Sequence, residues 1–396
     1  MTAAAADSRA PTLGFTLVLG LIQAIWPLTV DLYLPAFPQI ARDLGATPGQ
    51  VQYTLAAYLF GVALGQAALG PVTDKYGRRA PLLAGLGLYL LGTLVCVLAP
   101  SVGVLIVGRV VQALGGAAGA VVVSAVVRDR YEGKAAAGLF STLMLVTGVA
   151  PAIAPTLGTW LLTFLPWRAI FGVLAVYGAL CLLLVALRLP ETHPAPARVG
   201  MRLRDAASVY AGLLRRRVFL SYSLAAGFSG GMLFAYITGS PFLFLGELDA
   251  SPGLYALLFG VNATGLTLAS QVNRVLLRRF EPGQMARWAG RVAVVVGLSL
   301  LVAAVFHVLS VPLVALLFFA LLCCAGLLFP NNTALALSSV SERVGSASAL
   351  SGTTQSALGA LSGTLVGALG GGSVAIMGVI TACAVGVVVC HAAARR

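Results

Sequence analysis

Long apolar stretches, each of about 20 residues, fill most of the chain and are separated by short polar segments. A helix needs a stretch of this length to cross the hydrocarbon core of a bilayer. Only 9% of the 396 residues are charged and 59% are hydrophobic, whereas a soluble domain is about 25% charged. The bilayer is therefore the solvent, and each segment must pair its own backbone groups. Because the runs are unbroken rather than alternating, helices are favoured over a barrel.

The apolar stretches predict about twelve transmembrane helices. They are expected near residues 13–34, 51–72, 80–99, 102–124, 135–162, 167–189, 219–244, 251–274, 285–307, 310–333, 345–368 and 372–392. We therefore expect an all-α integral membrane protein with two pseudo-symmetric six-helix bundles, which comprise residues 1–189 and 219–396. A cytoplasmic interdomain loop, residues 190–218, joins the two bundles.

The basic residues predict how the chain is oriented. When the spans are threaded in order, all of the 25 Lys and Arg residues except Arg42, Arg109 and Arg168 fall on the same side. Cytoplasmic loops carry such an excess of positive charge. We therefore expect a multi-pass protein of the cytoplasmic (inner) membrane with both termini in the cytoplasm. The same rule accounts for the net charge of +13, so nucleic acid is not an expected partner.

The two halves of the sequence resemble each other. Asp-Arg-Tyr-Glu-Gly at 129–133 enters the fifth span, and Ser-Glu-Arg-Val-Gly at 341–345 enters the eleventh. Related halves of this kind form a substrate site at their interface, near the middle of the bilayer, and rock around it. The repeat therefore favours a transporter over a membrane receptor or an assembly factor, which would not need it.

A short polar turn between the second and third spans contains Gly70, Asp74, Gly77, Arg78 and Arg79. Gly70 would let helices approach closely, and Gly77 can adopt the backbone angles of a tight turn. Asp74 can pair with the arginines or stabilise the N-terminus of a helix. These features suggest a role in conformational gating, although a charged hairpin that obeys the positive-inside rule would show the same residues.

Several segments together resemble the major facilitator superfamily. Residues 70–79 resemble its signature loop, G-x-x-x-D-x-x-G-R-R, and residues 109–116 resemble its R-x-x-Q-G motif with Ala in place of the last Gly. Residues 148–159 are similar to its antiporter motif, G-P-x-x-G-G. Asp-Leu-Tyr-Leu-Pro at 31–35 and Ser-Pro-Phe at 240–242 are similar to the bicyclomycin/chloramphenicol-resistance branch of drug:proton antiporters.

The resemblance implies a proton-coupled secondary transporter that exports small, largely apolar, drug-like compounds by alternating access. Such proteins confer multidrug efflux and antibiotic resistance. Ala154 and Thr159 stand where the antiporter motif has glycine. The same fold carrying a metabolite, such as a sugar, a siderophore or an amino-acid derivative, remains an alternative.

Asp31 is the only carboxylate that the predicted spans place inside the bilayer. An ionised acid in hydrocarbon costs several kcal/mol, so such a residue is expected to face the bundle interior and to have a function. Desolvation favours the protonated form of a carboxylic acid. The resemblance implies a proton-binding acid at this position. Alternatively, Asp31 ends the first span near the outer interface, since Tyr33 and Pro35 follow closely.

Arg109 is the only basic residue deep inside a predicted span. A guanidinium does not deprotonate at accessible pH, so it must find hydrogen-bond partners. We predict that Arg109 faces the cavity and senses Asp31, either directly or through Gln112 and water. Alternatively, it is a structural residue bound to helix carbonyls.

The fifth span contains Pro151, Pro155 and Gly158. The prolines free backbone carbonyls, and small neighbours let the helix bend or pack closely. Close packing explains this composition, and gating is the additional role that we predict for it.

Polar, aromatic and Met side chains within the spans are candidates for the substrate cavity. Amides in a bilayer need partners, and aromatic and Met side chains suit drug-like ligands. The candidates are Gln23, Tyr33, Tyr58, Gln112, Met144, Phe228, Tyr236, Asn262, Asn331 and Gln355.

The sequence gives no indication of an enzyme. It contains no phosphate-binding loop or zinc-protease motif, and its three histidines do not form a Ser–His–Asp set. The six cysteines lie in apolar runs without metal-ligand spacing. We therefore expect no cofactor and no metal. The expected partners are a small-molecule substrate, protons and membrane lipid, and the protein is expected to be a monomer.

Overall fold

A computed structural model describes residues 12–131, 133–192, 203–340 and 344–395, and these residues form helices joined by short turns. Seven helices precede the polar insert. They are α1 (Leu13–Asp31), α2 (Phe37–Asp43), α3 (Pro48–Tyr76), α4 (Arg79–Val97), α5 (Val102–Arg130), α6 (Gly133–Leu162) and α7 (Trp167–Arg188). The remaining helices follow residue 202. They are α8 (Leu203–Leu214), α9 (Arg217–Phe242), α10 (Pro252–Leu276), α11 (Pro282–Val305), α12 (Val311–Ser338), α13 (Val344–Ala368) and α14 (Ser373–Ala393).

Each predicted span coincides with one long helix, and the predicted fold class is confirmed. Within the described residues, ten helical segments are long and apolar enough to cross a membrane, or eleven if the bent α6 counts as one span. Helix α13 is as long as the others, but its many Ser, Thr and Gly residues make it less apolar. It packs against α3 and α9, where small residues allow close contact between helices.

The polar insert contains a helix that the sequence reading missed. We predicted residues 190–218 as a loop, but α8 occupies part of this insert, and residues 193–202 lie outside the described residues. Leu213 of α8 is buried in a cluster with Phe219 and Val340. A short amphipathic helix forms here because it can bury an apolar face against α9 and α13. We propose that the boundary between the two bundles lies in this insert.

The bundles touch at one end and separate at the other. We call these the Pro48 end and the Asp74 end, after the residues near the two termini of α3. At the Pro48 end, the Gln52 Nε2 donates to the carbonyl of Gly371, 3.4 Å away, so α3 contacts the turn that follows α13. At the Asp74 end, the same two helices border a gap of about 390 Å³, which Gly70 and Gly352 line.

Helix α6 bends and packs closely against the end of α1. The bend is 40° and falls between Pro151 and Ile153, as expected where prolines interrupt the helical hydrogen bonds. One turn after Pro155, the backbone of Gly158 lies against the carbonyl oxygen of Leu32. A Cβ atom at Gly158 would overlap this oxygen, so glycine is required here by close packing.

We expect the substitution Gly158→Ala to destabilise the protein, because overpacking a rigid contact costs about 1–3 kcal/mol. The thermal unfolding temperature of the purified protein in detergent should fall. Gly172→Ala in α7 is the matched control, since a Cβ atom there meets nothing within 4 Å. Equal unfolding temperatures for the two variants would contradict the packing described here.

Candidate functional site

Asp31 is buried in the interior of the first apolar segment. Helix α1 ends at this residue, but a 3₁₀ turn (Leu34–Ala36) and α2 continue the apolar segment as far as Asp43. Only 3% of Asp31 is exposed, which argues against the alternative that it ends the span at the membrane surface. Its Oδ1 atom has no hydrogen-bond partner in the described part of the chain.

Asp31 lines a cavity of about 180 Å³ between the two bundles. Helices α1 and α6 of the first bundle and α9, α10 and α12 of the second contribute to its wall. Its polar side chains are Asp31, Thr147, Thr267 and Tyr236, and the rest of the wall is largely apolar. Such a cavity combines an adaptable apolar surface with few polar groups, as is typical of ligand sites.

Tyr236 is the aromatic centre of the wall on the side of the second bundle. Its hydroxyl accepts a hydrogen bond from the Asn262 Nδ2 at 3.0 Å. Its ring stacks on Phe259 with a centroid distance of 5.6 Å and contacts Phe318 edge-on at 4.9 Å. These contacts fix the ring, so α9 presents a rigid aromatic surface toward Asp31.

Arg109 is fully buried inside the first bundle, between aromatic rings. Its guanidinium carbon lies 4.3 Å from the ring centroids of both Tyr33 and Tyr58 and 5.8 Å from that of Phe171. The Nη1 atom donates to the carbonyl of Thr29 at 3.2 Å. Cation–π contacts at desolvated sites contribute about 2 kcal/mol each, so the cage stabilises a charge that has no carboxylate within ion-pair distance in the described residues.

A chain of hydrogen bonds links Arg109 to α4. The Nη1 atom also donates to the Gln112 Oε1 at 2.7 Å, and the Gln112 Nε2 donates to the Thr93 hydroxyl at 2.9 Å. Thr93 in turn donates to the carbonyl of Tyr89 at 2.7 Å. The chain closes on α1, because the Tyr89 hydroxyl lies 2.8 Å from that of Thr29. Arg109 therefore joins α1, α4 and α5.

The predicted contact between Arg109 and Asp31 is absent from the described structure, and Arg109 does not face the cavity. The reason is the helical geometry of α1. The Thr29 hydroxyl belongs to the same network, since it lies 2.8 Å from that of Tyr89. The side chains of Thr29 and Asp31 are two residues apart, so they point about 200° away from each other around the helix axis. Arg109 corresponds to the structural alternative, since it binds a helix carbonyl inside one bundle.

Three other predicted cavity residues surround Arg109 rather than the cavity: Tyr33, Tyr58 and Gln112. The Tyr33 hydroxyl lies 3.2 Å from that of Thr54, and the Tyr58 hydroxyl has no partner in the described residues. The aromatic residues lie here because the lone guanidinium needs electron-rich faces, which apolar side chains do not offer.

Of the remaining candidates, Tyr236 lines the cavity and Asn262 supports it, as described above. The half-buried Gln23 is 3.4 Å from the hydroxyl of Thr147, a cavity residue, and thus lies beside the wall. Met144 does not line the cavity: it is 76% exposed and lies one helical turn before the cavity residues Thr147 and Gly148.

The structure places three candidates away from this cavity. Asn331 forms paired hydrogen bonds with Asn273, at 2.8 and 3.4 Å, which join α12 to α10. Phe228 packs against Gly386 of α14, and Gln355 lies beside Gly230 of α9. Asn331 and Phe228 therefore have partners within the second bundle and do not need to face the cavity.

The predicted gating turn forms an ion-pair network at the Asp74 end. Arg78 donates to Asp74 at 2.7 Å and to Asp129 at 2.9 Å, and its backbone amide donates to Glu191 at 2.8 Å. Burial would lower the pKa of Arg78, but its hydrogen bonds to Asp129 and Asp74 more than offset this effect and raise it. Arg79 binds the carbonyl of Ala186 at 2.6 Å. The network ties the turn to α5 and α7.

The two glycines of the turn have different environments. Gly77 has a φ of 85°, a conformation that favours glycine, as predicted. Gly70, in contrast, was predicted to let helices approach closely, and a Cβ atom there would meet nothing within 4 Å. This prediction is wrong for the present conformation, because Gly70 borders the open gap between α3 and α13.

Several cavity residues were missed by sequence reading. Trp26, Thr147 and Thr267 line the cavity with Asp31. Helical spacing offered a signal for Thr147, which lies four residues before Pro151 and thus on the same face of α6. Trp26 and Thr267 carry no comparable signal. Within the described residues, no group of His, Cys, Asp or Glu side chains is arranged as a metal site.

Comparison with known proteins agrees with this architecture. The family model of the Major Facilitator Superfamily matches residues 19–364. The uncharacterized MFS-type transporter YdgK of Bacillus subtilis is 36% identical, over 88% of this chain and 87% of the relative. A bicyclomycin resistance protein homolog of Haemophilus influenzae is 32% identical, over 89% and 88% of the two chains. The multidrug resistance protein MdtL of Escherichia coli O157:H7 is 28% identical, over 88% and 85%.

Solved structures share the fold at low sequence identity. A bacterial homolog of the human lysosomal transporter Spinster, in an inward-facing and unoccupied conformation, has a TM-score of 0.73 at 17% identity, covering 96% of each chain. A D-xylose–proton symporter has a TM-score of 0.71 at 15% identity, covering 94% of this chain and 96% of its own. The family match and the two relatives above 30% identity show that this chain belongs to the Major Facilitator Superfamily and is a multi-pass membrane transporter.

Proposed function

We propose that this transporter exports small, largely apolar, drug-like compounds in exchange for protons. The observation that carries the proposal is Asp31, an acid that is 3% exposed, lacks a partner at Oδ1 and lines the cavity between the bundles. A buried carboxyl group without a countercharge is poised to hold or release one proton. Relatives named for bicyclomycin and multidrug resistance support the same class of cargo.

The cavity wall favours an apolar substrate over a sugar. Apart from Asp31, Tyr236 and two threonines, the wall consists largely of side chains such as Trp26, Phe259 and Leu233. A sugar needs a hydrogen-bond partner for most of its hydroxyl groups, because unpaired polar groups are costly in a buried site. This wall offers few such partners, whereas aromatic faces suit flat or lipophilic compounds.

The proposed cycle couples one proton to each export step. With the basic Asp74 end in the cytoplasm, a proton that enters from the Pro48 end neutralises Asp31 and releases the substrate outward. Loss of this proton to the cytoplasm restores the substrate-binding state. One pH unit supplies about 1.4 kcal/mol, and 100 mV supplies about 2.3 kcal/mol per charge moved. In this scheme Arg109 positions α1, and through it Asp31, rather than contacting the proton.

Alternating access would close the gap at the Asp74 end and open the contact at the Pro48 end. The first change brings α13 toward Gly70, whose missing side chain leaves room for it. The ion pairs of Arg78 hold the turn in place during this movement. The bend of α6 beside Pro151 and Pro155 offers a second flexible point next to the cavity.

We expect Asp31→Asn to abolish the response of transport to a proton gradient, since an amide cannot take up the coupling proton. The assay is uptake of radiolabelled chloramphenicol and bicyclomycin into proteoliposomes with an imposed pH difference. Asp249→Asn is the matched control, because Asp249 is exposed and its φ of 47° suits Asn equally well. Gradient-driven uptake that survives in the Asp31 variant would exclude the proposed coupling.

We expect Gly70→Trp to fold normally but to lose transport. The indole fits the gap of about 390 Å³ in the present conformation, yet it would obstruct the approach of α13. Gly87→Trp is the control, since Gly87 is exposed on α4 and a Cβ atom there also meets nothing within 4 Å. The measurements are thermal unfolding and uptake in parallel. Full activity of the Gly70 variant would show that the gap need not close.

A further inference from the structure

A second polar site lies at the Asp74 end of the second bundle, away from the cavity of Asp31. Three arginines, Arg287, Arg291 and Arg395, converge on a small pocket of about 100 Å³ between α11 and α14. His391 completes its polar wall. None of these arginines has a carboxylate within 4 Å in the described part of the chain. Three guanidiniums that face one small pocket without a countercharge repel one another.

His391 is the second observation that points to a ligand. It is 5% exposed, and its Nδ1 atom has no hydrogen-bond partner in the described residues. The Nδ1 atom lies 3.7 Å from the position that a Cβ atom would occupy at Gly290. Gly290 lies between Arg287 and Arg291 on α11, so this nitrogen lies beside the part of α11 that carries the two arginines.

The opposite nitrogen of the His391 ring is held in place by a hydrogen-bond chain. Ser229 donates to the carbonyl of Ala225 at 2.8 Å, so its oxygen is available to accept from the Asn332 Nδ2, 3.5 Å away. Asn332 therefore turns its Oδ1 toward the His391 Nε2 at 2.7 Å, and Nε2 is the donor. In this arrangement Nδ1 can donate to a ligand only when the ring carries a proton on both nitrogens.

We propose that Arg287, Arg291, Arg395 and His391 form a binding site for a phosphate-type oxyanion, in which the headgroup phosphate of an anionic phospholipid is bound. Guanidiniums form paired, charge-assisted hydrogen bonds with phosphate oxygens. An oxyanion would cancel the repulsion among the arginines and accept a hydrogen bond from Nδ1. No other group of the described chain performs either role.

The position of the pocket favours a lipid over free phosphate. It lies where α11 begins and α14 ends, at the level of the membrane surface. Trp288, next to Arg287, is 49% exposed and contacts Phe280 edge-on at 5.5 Å. Exposed aromatic residues of this kind are enriched at the headgroup level of a bilayer. A headgroup bound here would link the first turns of α11 to the last turn of α14.

The test is thermal unfolding of the purified protein during titration with dioleoylphosphatidylglycerol or dioleoylphosphatidylcholine in mixed micelles. We expect the anionic lipid alone to raise the unfolding temperature, because a ligand that binds the folded state stabilises it. In Arg287→Gln and Arg291→Gln the apparent affinity should fall about tenfold, as the loss of one charge-assisted hydrogen bond predicts. Arg278→Gln and Arg279→Gln are matched controls, since both arginines are exposed at the same end but do not line the pocket.

A parallel titration with inorganic phosphate identifies the source of the anion. Stabilisation by phosphatidylglycerol alone assigns the lipid, and stabilisation by both ligands assigns a general oxyanion site. Absence of stabilisation by either ligand, or equal losses in the control variants, would overturn the proposal. Arg291→Lys, which retains the charge, should recover part of the affinity and thereby excludes misfolding as the cause of the loss.

The role of His391 has its own readout. The phosphodiester of phosphatidylglycerol does not titrate near neutral pH, so any pH dependence of its affinity reports on the protein. The charged and titratable groups that face His391 are the three arginines and Tyr222, whose ring centroid is 6.1 Å away. We expect affinity to increase as the pH falls, because only the doubly protonated ring can donate from Nδ1. His391→Gln should remove this dependence, and an unchanged pH profile would exclude donation from Nδ1.

Discussion

Helix α1 separates Arg109, which lies inside the first bundle, from Asp31, which lines the cavity between the bundles. Both the carbonyl and the side chain of Thr29 belong to the hydrogen-bond network of Arg109, while the side chain of Asp31, two residues later, faces the cavity between the bundles. A helix with 3.6 residues per turn cannot point both positions in the same direction. This constraint keeps the cation and the acid from neutralising each other, and it leaves Asp31 without a permanent countercharge. The rest of the proposed mechanism depends on that separation.

The cage of Arg109 and the cavity of Asp31 differ in rigidity. Arg109 is held between two tyrosine rings and joined by hydrogen bonds to α1, α4 and α5. The cavity, in contrast, is bordered by helices of both bundles, so its shape changes whenever the bundles move. A rigid scaffold on one face of α1 and a deformable site on the other let Asp31 keep its position while its surroundings change. In the proposed mechanism, movement of one bundle relative to the other is sufficient to expose the acid to each side of the membrane in turn.

The order of the helices, the two bundles and the burial of Asp31 could be predicted from sequence, because apolar length and a lone acid within a span are local signals. The pairing of Arg109 with Asp31 was predicted incorrectly, since the faces of α1 depend on which neighbours its residues contact. For the same reason, only some of the predicted cavity residues line the cavity. Tyr236 lines the cavity, but Tyr33 and Tyr58 contact Arg109 instead, and Asn331 forms hydrogen bonds with Asn273. Helix α8 was missed because its apolar face is short and lies in a charged segment.

The central claim is that Asp31 exchanges a proton with the solution inside the folded transporter. Infrared difference spectroscopy of the protein in lipid, recorded between acidic and alkaline buffer, measures this exchange directly. We expect wild-type protein to show a protonated-carboxyl band that converts to a carboxylate band as the pH rises, and we expect this pair of bands to be missing from Asp31→Asn. Identical spectra of the wild type and the variant across the pH range would contradict proton exchange at Asp31.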